Sequence, residues 1–484
     1  SLPMVQGEGA HPPADACDFA RVCSGLDFWA LTDHAESLTR EKWLSSIESV
    51  RQCNAISGDS TNPDLVTFMG FEWTQSGATP ETHYGHKNVI FRDIAPDQLP
   101  ARPISSPFRA AFGSIPWNLQ VLPPLRDLPN RRRYYDFSRL VQSIGEQPLC
   151  PEQGHVRDLP ADCAEIAPTP ADLFRKLREW DMASLVIPHG TSWGVYSPAG
   201  TSLAKQLNAG MHDPRRQTLF EVYSGHGNSE EFRDWKAVES GPEGALVCPE
   251  PTPDYLPSCW RAGELIAERC LADGQPPTEC EARAAEARRQ YLAYGLLGWH
   301  TVPGTRLEDW LDSGQCRDCF LPAFNYRPGG SAQYGLAITN FDDPAQPGRF
   351  RFGLVASSDN HTARPGTGYK QYGRRYNTDW WGYRDAGSRA LFSTDRGAPE
   401  ARSVAVDASK IDLFNILELE RQASYFTTGG LDAVHAGGRD RAAIWKALRA
   451  RQVYATSGPR ILLWFDLLNG MGDAETRELP MGSE

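Results

Sequence analysis

The stretch FGLVASSDNHTARPG, residues 352–366, decides how this chain is read: an apolar run, FGLVA, ends in Asp359 and His361, two residues apart. On a β-strand, residues i and i+2 project to the same side. A carboxylate and an imidazole at the mouth of a strand can therefore face one metal ion. Three other stretches repeat the design. FWALTDHAE (28–36) carries Asp33 and His34, VTFMGFEWT (66–74) carries Glu72, and SLVIPHGTSWG (184–194) carries His189. Each sets a metal-competent side chain at the carboxyl end of a short apolar run, where α/β sheets gather their functional groups. A lone Asp-x-His pair reads first as a structural, hydrogen-bonded histidine. Four strand ends of one design read as a shared site.

The order TDH, GFEWT, HKNVIF, IPHG and SSDNH resembles the PHP (polymerase and histidinol phosphatase) superfamily of metallohydrolases. More narrowly, it resembles the branch of PHP-like proteins that carry TDHAE, GFEWT, HGNSE and DNHTARPG, all present here. The resemblance runs from about residue 11 to about residue 460. It implies an α/β fold, a distorted (β/α)7 PHP-type barrel, with two or three divalent ions at the carboxyl ends of its strands. Carried over residue by residue, it implies that His34 binds one ion and that Glu72 bridges two. His86 and His189 then complete the second ion's shell, and Asp359 and His361 ligate from the last strands. Asp33 is expected to act beside the ligands, orienting one of them. His83 is a rival to His86; His86 is preferred because it directly precedes the strand-like KNVIF.

The chain departs from this pattern at one point. PHP proteins open with an Asp-x-His-x-His strand, and no His-x-His occurs in the 484 residues. His11, in a Pro-rich loop, is a poor substitute. The expectation is that residues 1–468 form the barrel domain without its first strand, and that residues 469–484 begin a truncated C-terminal segment.

With 40% hydrophobic and 23% charged residues the chain can bury a large core, as one domain with insertions or as two modules. Its net charge of −12 and the lack of a long basic run argue against nucleic acid as a partner. Arg131, Arg132 and Arg133 read as a solvated loop. No stretch reaches the length of a membrane span; even ILLWFDLL (461–468) is broken by Asp466. The visible start shows no signal peptide.

Eleven cysteines are many for a reducing compartment. Cys150 with Cys163, Cys248 with Cys259, Cys270 with Cys280, and Cys316 with Cys319 fall in polar, Pro/Gly-rich text. That placement favours loop-stapling disulfides and a periplasmic or secreted protein, with free surface thiols as the alternative. CRDC (316–319) also reads as half a zinc site or a redox pair, without a second CxxC to complete it.

Hydrophobic periodicity gives α/β alternation. Helices are expected at 16–24, at 38–55 from a Thr cap, at ADLFRKLREWD (171–181) and at TECEARAAEARRQYLAYGLLG (278–298). Strands are expected at LDFWALT, DLVTFMGFEW, HKNVIF, SLVIPH, TLFEVYS, FGLVA and IDLFNILELE, with a last helix and strand in 440–468. Two long loop-rich insertions, about 93–168 and about 240–335, interrupt the alternation, and the first resembles a lid or rim.

In SGHGNSE (224–230) His226 lies between glycines, which allow close approach of a ligand, so it reads as a substrate-contacting group or general acid. The bland reading is a Gly-rich turn. Glu221 reads as a support for the metal cluster. Arg364 can clamp an anionic leaving group or form an ordinary loop ion pair. His300 and His435 stand alone and read as structural; Trp380, Trp381 and Tyr383 read as core before substrate cleft. No G-x-S-x-G elbow and no phosphate loop ending in GK[ST] occurs.

Imidazole and carboxylate ligands without thiolate suit zinc, manganese or iron. Such ions acidify bound water and polarise an ester oxygen. The expected activity is hydrolysis of a small-molecule ester, phosphoesters ahead of carboxyl esters or carbamates. The competing reading is a degenerate barrel that binds a ligand without turning it over.

Overall fold

The computed structural model describes residues 11–482 apart from residues 78, 113–116, 194–196, 199, 209, 229–235, 315–316, 318–326, 367–396, 407–423, 425–426 and 469–478. The fold is mixed α/β. Strands β1 (Phe28–Leu31), β2 (Val66–Trp73), β3 (His86–Phe91) and β6 (Ser184–His189) form a sheet in the order β1-β2-β3-β6. Between β3 and β6, the short β4 (Ile104–Ser105) and β5 (Glu165–Ile166) pair parallel to each other. A second sheet holds β7 (Leu219–Ser224), β8 (Gly227–Asn228) and β11 (Gly353–Ala356), in the order β11-β7-β8. The small ribbon β9 (Glu239–Ser240) and β10 (Leu246–Val247) lies between them in sequence. Antiparallel β12 (Leu431–Val434) and β13 (Val453–Thr456) flank the helix Arg441–Arg449. β6 lies beside β7, and β11 beside β13. Among the described residues the hydrogen-bonded ladders form separate sheets and not one closed ring.

The strands were legible because their residues are buried on alternate or on both faces. All eight residues of β2 are buried, as expected of a central strand covered on both sides. Its two faces feed two cores. Met69, Phe71 and Trp73 join Trp29, Trp43, Phe91, Phe174 and Leu177 under the helices Arg40–Ala55 and Pro170–Trp180. Val66 and Phe68 point the other way, into a core shared with Ile90, Leu185, Leu219, Val355 and Trp445. Gly70 lies midway along β2, where an added Cβ would stand 2.2 Å from the carbonyl oxygen of Val89. Only glycine permits that approach of β3.

Thr39 caps the helix Arg40–Ala55 as expected, its side chain accepting from the Lys42 N–H. The expected helix at 16–24 is an α-turn, Pro13–Asp18, continued by a π-turn, Phe19–Cys23. Both insertions carry more helix than their text suggests. The first contains Trp117–Arg126 and Arg131–Glu146, so Arg131–Arg133 open a helix and are not a loop. The second contains Ser258–Ala272 and Pro277–Tyr294, which pack through Ala262, Ile266, Ala287 and Tyr291 into a core of their own. IDLFNILELE, Cys316, Cys319, Trp380, Trp381 and Tyr383 lie outside the described residues.

Disulfides join Cys150 to Cys163, Cys248 to Cys259 and Cys270 to Cys280, the pairs expected, but Cys259, Cys270 and Cys280 lie in helices and not in loops. A fourth joins Cys17 to Cys53. It was missed because its cysteines stand 36 residues apart in two core helices, without the close spacing of 10–13 residues that marked the other pairs. Replacing Cys17 and Cys53 together by alanine is expected to lower the unfolding free energy by about 2–4 kcal/mol. Urea midpoints read the change; an unaltered midpoint denies the bond that role.

Candidate metal centre

The face of each strand that feeds the inner core ends in a polar residue at one rim. On β2 the series Val66, Phe68, Gly70 ends in Glu72, and on β6 Leu185 and Ile187 end in His189. On β7 Leu219 is followed by Glu221. β11 ends at Ala356 after a register shift at Val355, so Asp359 and His361 sit in the loop beyond the strand, brought to the rim by a left-handed turn at Asp359 and not by the i, i+2 alternation the sequence suggested. β3 runs antiparallel to both of its neighbours, so its first residue lies at the rim where they end, and His86 pairs with His189 across the ladder. The β1–β2 register carries on past β1 to a bridge between His34 and Glu72. There the Asp33 carbonyl accepts the Glu72 N–H at 3.0 Å.

Two groups of donors result. Glu72, His86 and His189 form the first, all buried, their donor atoms within 4.8 Å of one another. Glu72 Oε1 is 2.8 Å from His86 Nδ1, yet it has no hydrogen bond among the described residues. Such a buried, unsatisfied oxygen facing an imidazole nitrogen suits a cation between them. His86 Nε2 meets Ser76 Oγ at 3.0 Å. His189 Nδ1 is 2.6 Å from Glu221 Oε1 and its Nε2 is 3.3 Å from Asp359 Oδ2. A carboxylate behind one ring nitrogen is the usual support of a metal-binding histidine.

His226, Asp359 and His361 form the second group. The Asp359 carbonyl oxygen accepts from His361 Nδ1 (3.1 Å) and His226 Nε2 (3.0 Å). Asp359 holds this pose with φ of +45°, a left-handed conformation that a non-glycine residue adopts at a cost of about 1–3 kcal/mol. His34 faces the same group: its Nε2 is 3.4 Å from His361 Nε2. Two nitrogens about 2.1 Å from one tetrahedral ion stand roughly 3.4 Å apart. The donor set therefore fits divalent ions, with imidazole and carboxylate but no thiolate.

The electrostatics point the same way. Every ion pair that Glu72, Glu221 and Asp359 make among the described residues is with a histidine. Burial opposes charge on Glu72 and Asp359, but the surrounding imidazoles outweigh it and hold both carboxyls well below the usual range. Burial likewise opposes charge on His189, yet Glu221 and Asp359 lift it well above 6.5. The cluster demands positive charge.

All six expected ligands, His34, Glu72, His86, His189, Asp359 and His361, converge. His226 joins them, and Trp193 stacks on its ring at 6.2 Å between centroids. Asp33 stays open to solvent beside His34. Arg364 lies at the base of the loop, its N–H donating to Asn360 Oδ1 at 2.7 Å. His83 is elsewhere: its ring is buried between the Gly77 N–H and Ser197 Oγ, and burial pushes its pKa down to about 3. His435 bonds the Leu463 carbonyl, as a structural histidine does. Sequence reasoning missed Thr74 and Ser76, which follow Glu72 at intervals of two and touch His34 and His86. Their spacing from Glu72 was the available signal.

Fold and rim together define an α/β protein with a histidine–carboxylate centre. Residues 333–472, which include Asp359 and His361, match a family described as "Protein of unknown function (DUF3604)". No curated protein and no solved structure matches the chain.

A folded-state pKa raised above the unfolded one gives stability that is present below the unfolded value and lost as pH rises through the folded value. For His189 that loss starts near 6.5 and continues upward. Chelator-treated protein is therefore expected to melt at progressively lower temperature above about pH 6.5, and added zinc is expected to suppress the decline. A flat profile without metal contradicts the assignment.

Proposed function

We propose that the chain is a divalent-metal-dependent hydrolase of small esters, with phosphoesters ahead of carboxyl esters and carbamates. The observation that carries this reading is the convergence of Glu72, His86 and His189 with His226, Asp359 and His361 at one rim. The distorted (β/α)7 PHP-type barrel is part of the same proposal. It is supported by the single inner core that draws on β1, β2, β3, β6, β7, β11 and β13.

Glu72, His86 and His189 are the residues we assign to one ion, and His34, Asp359 and His361 to another; zinc, manganese and iron all suit these donors. Bound there, the ions supply an acidified water as nucleophile and polarise the ester oxygen. The chain's own groups do the rest. Glu221 fixes the His189 ring through Nδ1. The Asp359 carbonyl fixes His361. Trp193, stacked on His226 and edge-on to His189, shields the inner side of the centre from water. Asp33, at the solvent side, and His226, at the buried side, are the groups we assign to proton movement. Arg364 is assigned to an anionic leaving group. Four disulfides among the described residues support a periplasmic or secreted location. No described helix is long and apolar enough to cross a membrane.

Elemental analysis of the purified protein, paired with a panel of aryl phosphates and aryl esters, tests this. At least two ions per chain are expected, with turnover, and Glu72→Ala is expected to lose an ion and at least about a thousandfold in kcat/KM. One tightly held ion with no turnover of either panel supports a ligand-binding barrel instead.

A further inference from the structure

Glu36 of TDHAE and Thr74 of GFEWT have no place among the ligands, and both are buried. Thr74 follows Glu72 by two residues, so its side chain leaves on the same side as the ligand. Its Oγ1 is 2.6 Å from His34 Nδ1. The backbone that carries this hydroxyl is held on both sides. Glu36 Oε1 accepts the Thr74 N–H at 3.2 Å, and the Thr74 carbonyl accepts from the Ser106 hydroxyl at 2.7 Å. The Ser106 N–H donates to the same Glu36 oxygen at 2.7 Å, and the Ser105 hydroxyl donates to the Ala35 carbonyl at 2.9 Å. Thr74 Oγ1 is thus fixed between the His34 turn and the 93–168 insertion.

Which ring nitrogen of His34 carries the proton follows from its neighbours. Glu72 Oε2 is 3.5 Å from Nδ1, and an ionised carboxylate only accepts. A bare Nδ1 lone pair is repelled there, whereas an Nδ1–H is attracted by both the carboxylate and the threonine oxygen. Nε2 is then the bare nitrogen. His361 is held in the same sense, because its Nδ1 faces the Asp359 carbonyl, which also only accepts. In that form the Nε2 atoms of His34 and His361 both turn to the centre, 3.4 Å apart. In the competing arrangement the Thr74 hydroxyl donates to His34 Nδ1 and His34 Nε2–H donates to His361, with the Glu72 oxygen at 3.5 Å from Nδ1 opposing it.

We propose that Thr74 is a positioning residue: its hydroxyl fixes His34 as the Nδ1–H tautomer with Nε2 turned to the centre. Through Glu36 and Ser106 it ties that ring to the first insertion. Its consequence for ion binding rests on the metal-centre reading above, whereas the tautomer itself does not.

Two-bond nitrogen–proton NMR of the full, chelator-treated chain, labelled at histidine and recorded across a pH series, reads the tautomer from the neutral form of the ring. His34→Gln identifies the signal. The Nδ1–H form is expected in the wild type and in Thr74→Ser, and a shift toward Nε2–H in Thr74→Val. Zinc affinity, by competition with a coloured chelator, is expected to fall about 10–100-fold in Thr74→Val and to be kept in Thr74→Ser. The ion-free melting temperature serves as the control for folding. An Nε2–H His34 in the wild type overturns the proposal, as does a Thr74→Val chain with the wild-type tautomer. A wild type that shows the Nδ1–H form, loses it in Thr74→Val and binds no zinc upholds the positioning role and overturns the proposed hydrolase.

Discussion

Two buried carboxylates, Glu72 and Glu221, and the half-buried Asp359, whose ion-pair partners among the described residues are all histidines, set the terms for the rest of this structure. Removing a carboxylate from water is costly unless a charge of the opposite sign replaces the solvent. Neutral imidazole does not supply that charge. Either several histidines carry protons, crowding cations together, or a metal ion takes the middle of the cluster and the histidines stay neutral. The second solution is the one we propose: an ion would offset the charge of Glu72 and Asp359 and would take the Nε2 lone pairs of His34 and His361 in their Nδ1–H forms.

The fold serves this cluster by direction and by period. Alternation along each strand places apolar side chains in the inner core and a polar one at the rim, so one pattern provides both stability and site. β3 reverses direction, which lets the residue before KNVIF face the residues that end β2 and β6. Asp359 adopts a left-handed backbone, and that turn directs one carbonyl at two imidazoles. The strain is located where it orients the imidazoles of His226 and His361.

Much of this was legible in the sequence. The apolar runs before Asp33, Glu72, His189 and Asp359 are strands because a short run buried on its inner face has few other ways to fold, and their last residues then share a rim. The reversal of β3 was not legible, since a period of two carries no direction. Thr74 and Ser76 were passed over because a hydroxyl bears no metal signature of its own; only the rings they touch give them meaning. The helices of the first insertion were obscured by Pro123, Pro124 and the arginine run, which read locally as loop. The Cys17–Cys53 bond was obscured by its separation of 36 residues, against 10–13 for the other three.

Anomalous X-ray scattering from crystals of the zinc- or manganese-loaded protein tests the central claim most directly. Separate anomalous peaks are expected among Glu72, His86 and His189 and between His34 and His361 beside Asp359. An ion-free cluster under saturating metal, with the imidazoles hydrogen-bonded straight to the carboxylates, would contradict it.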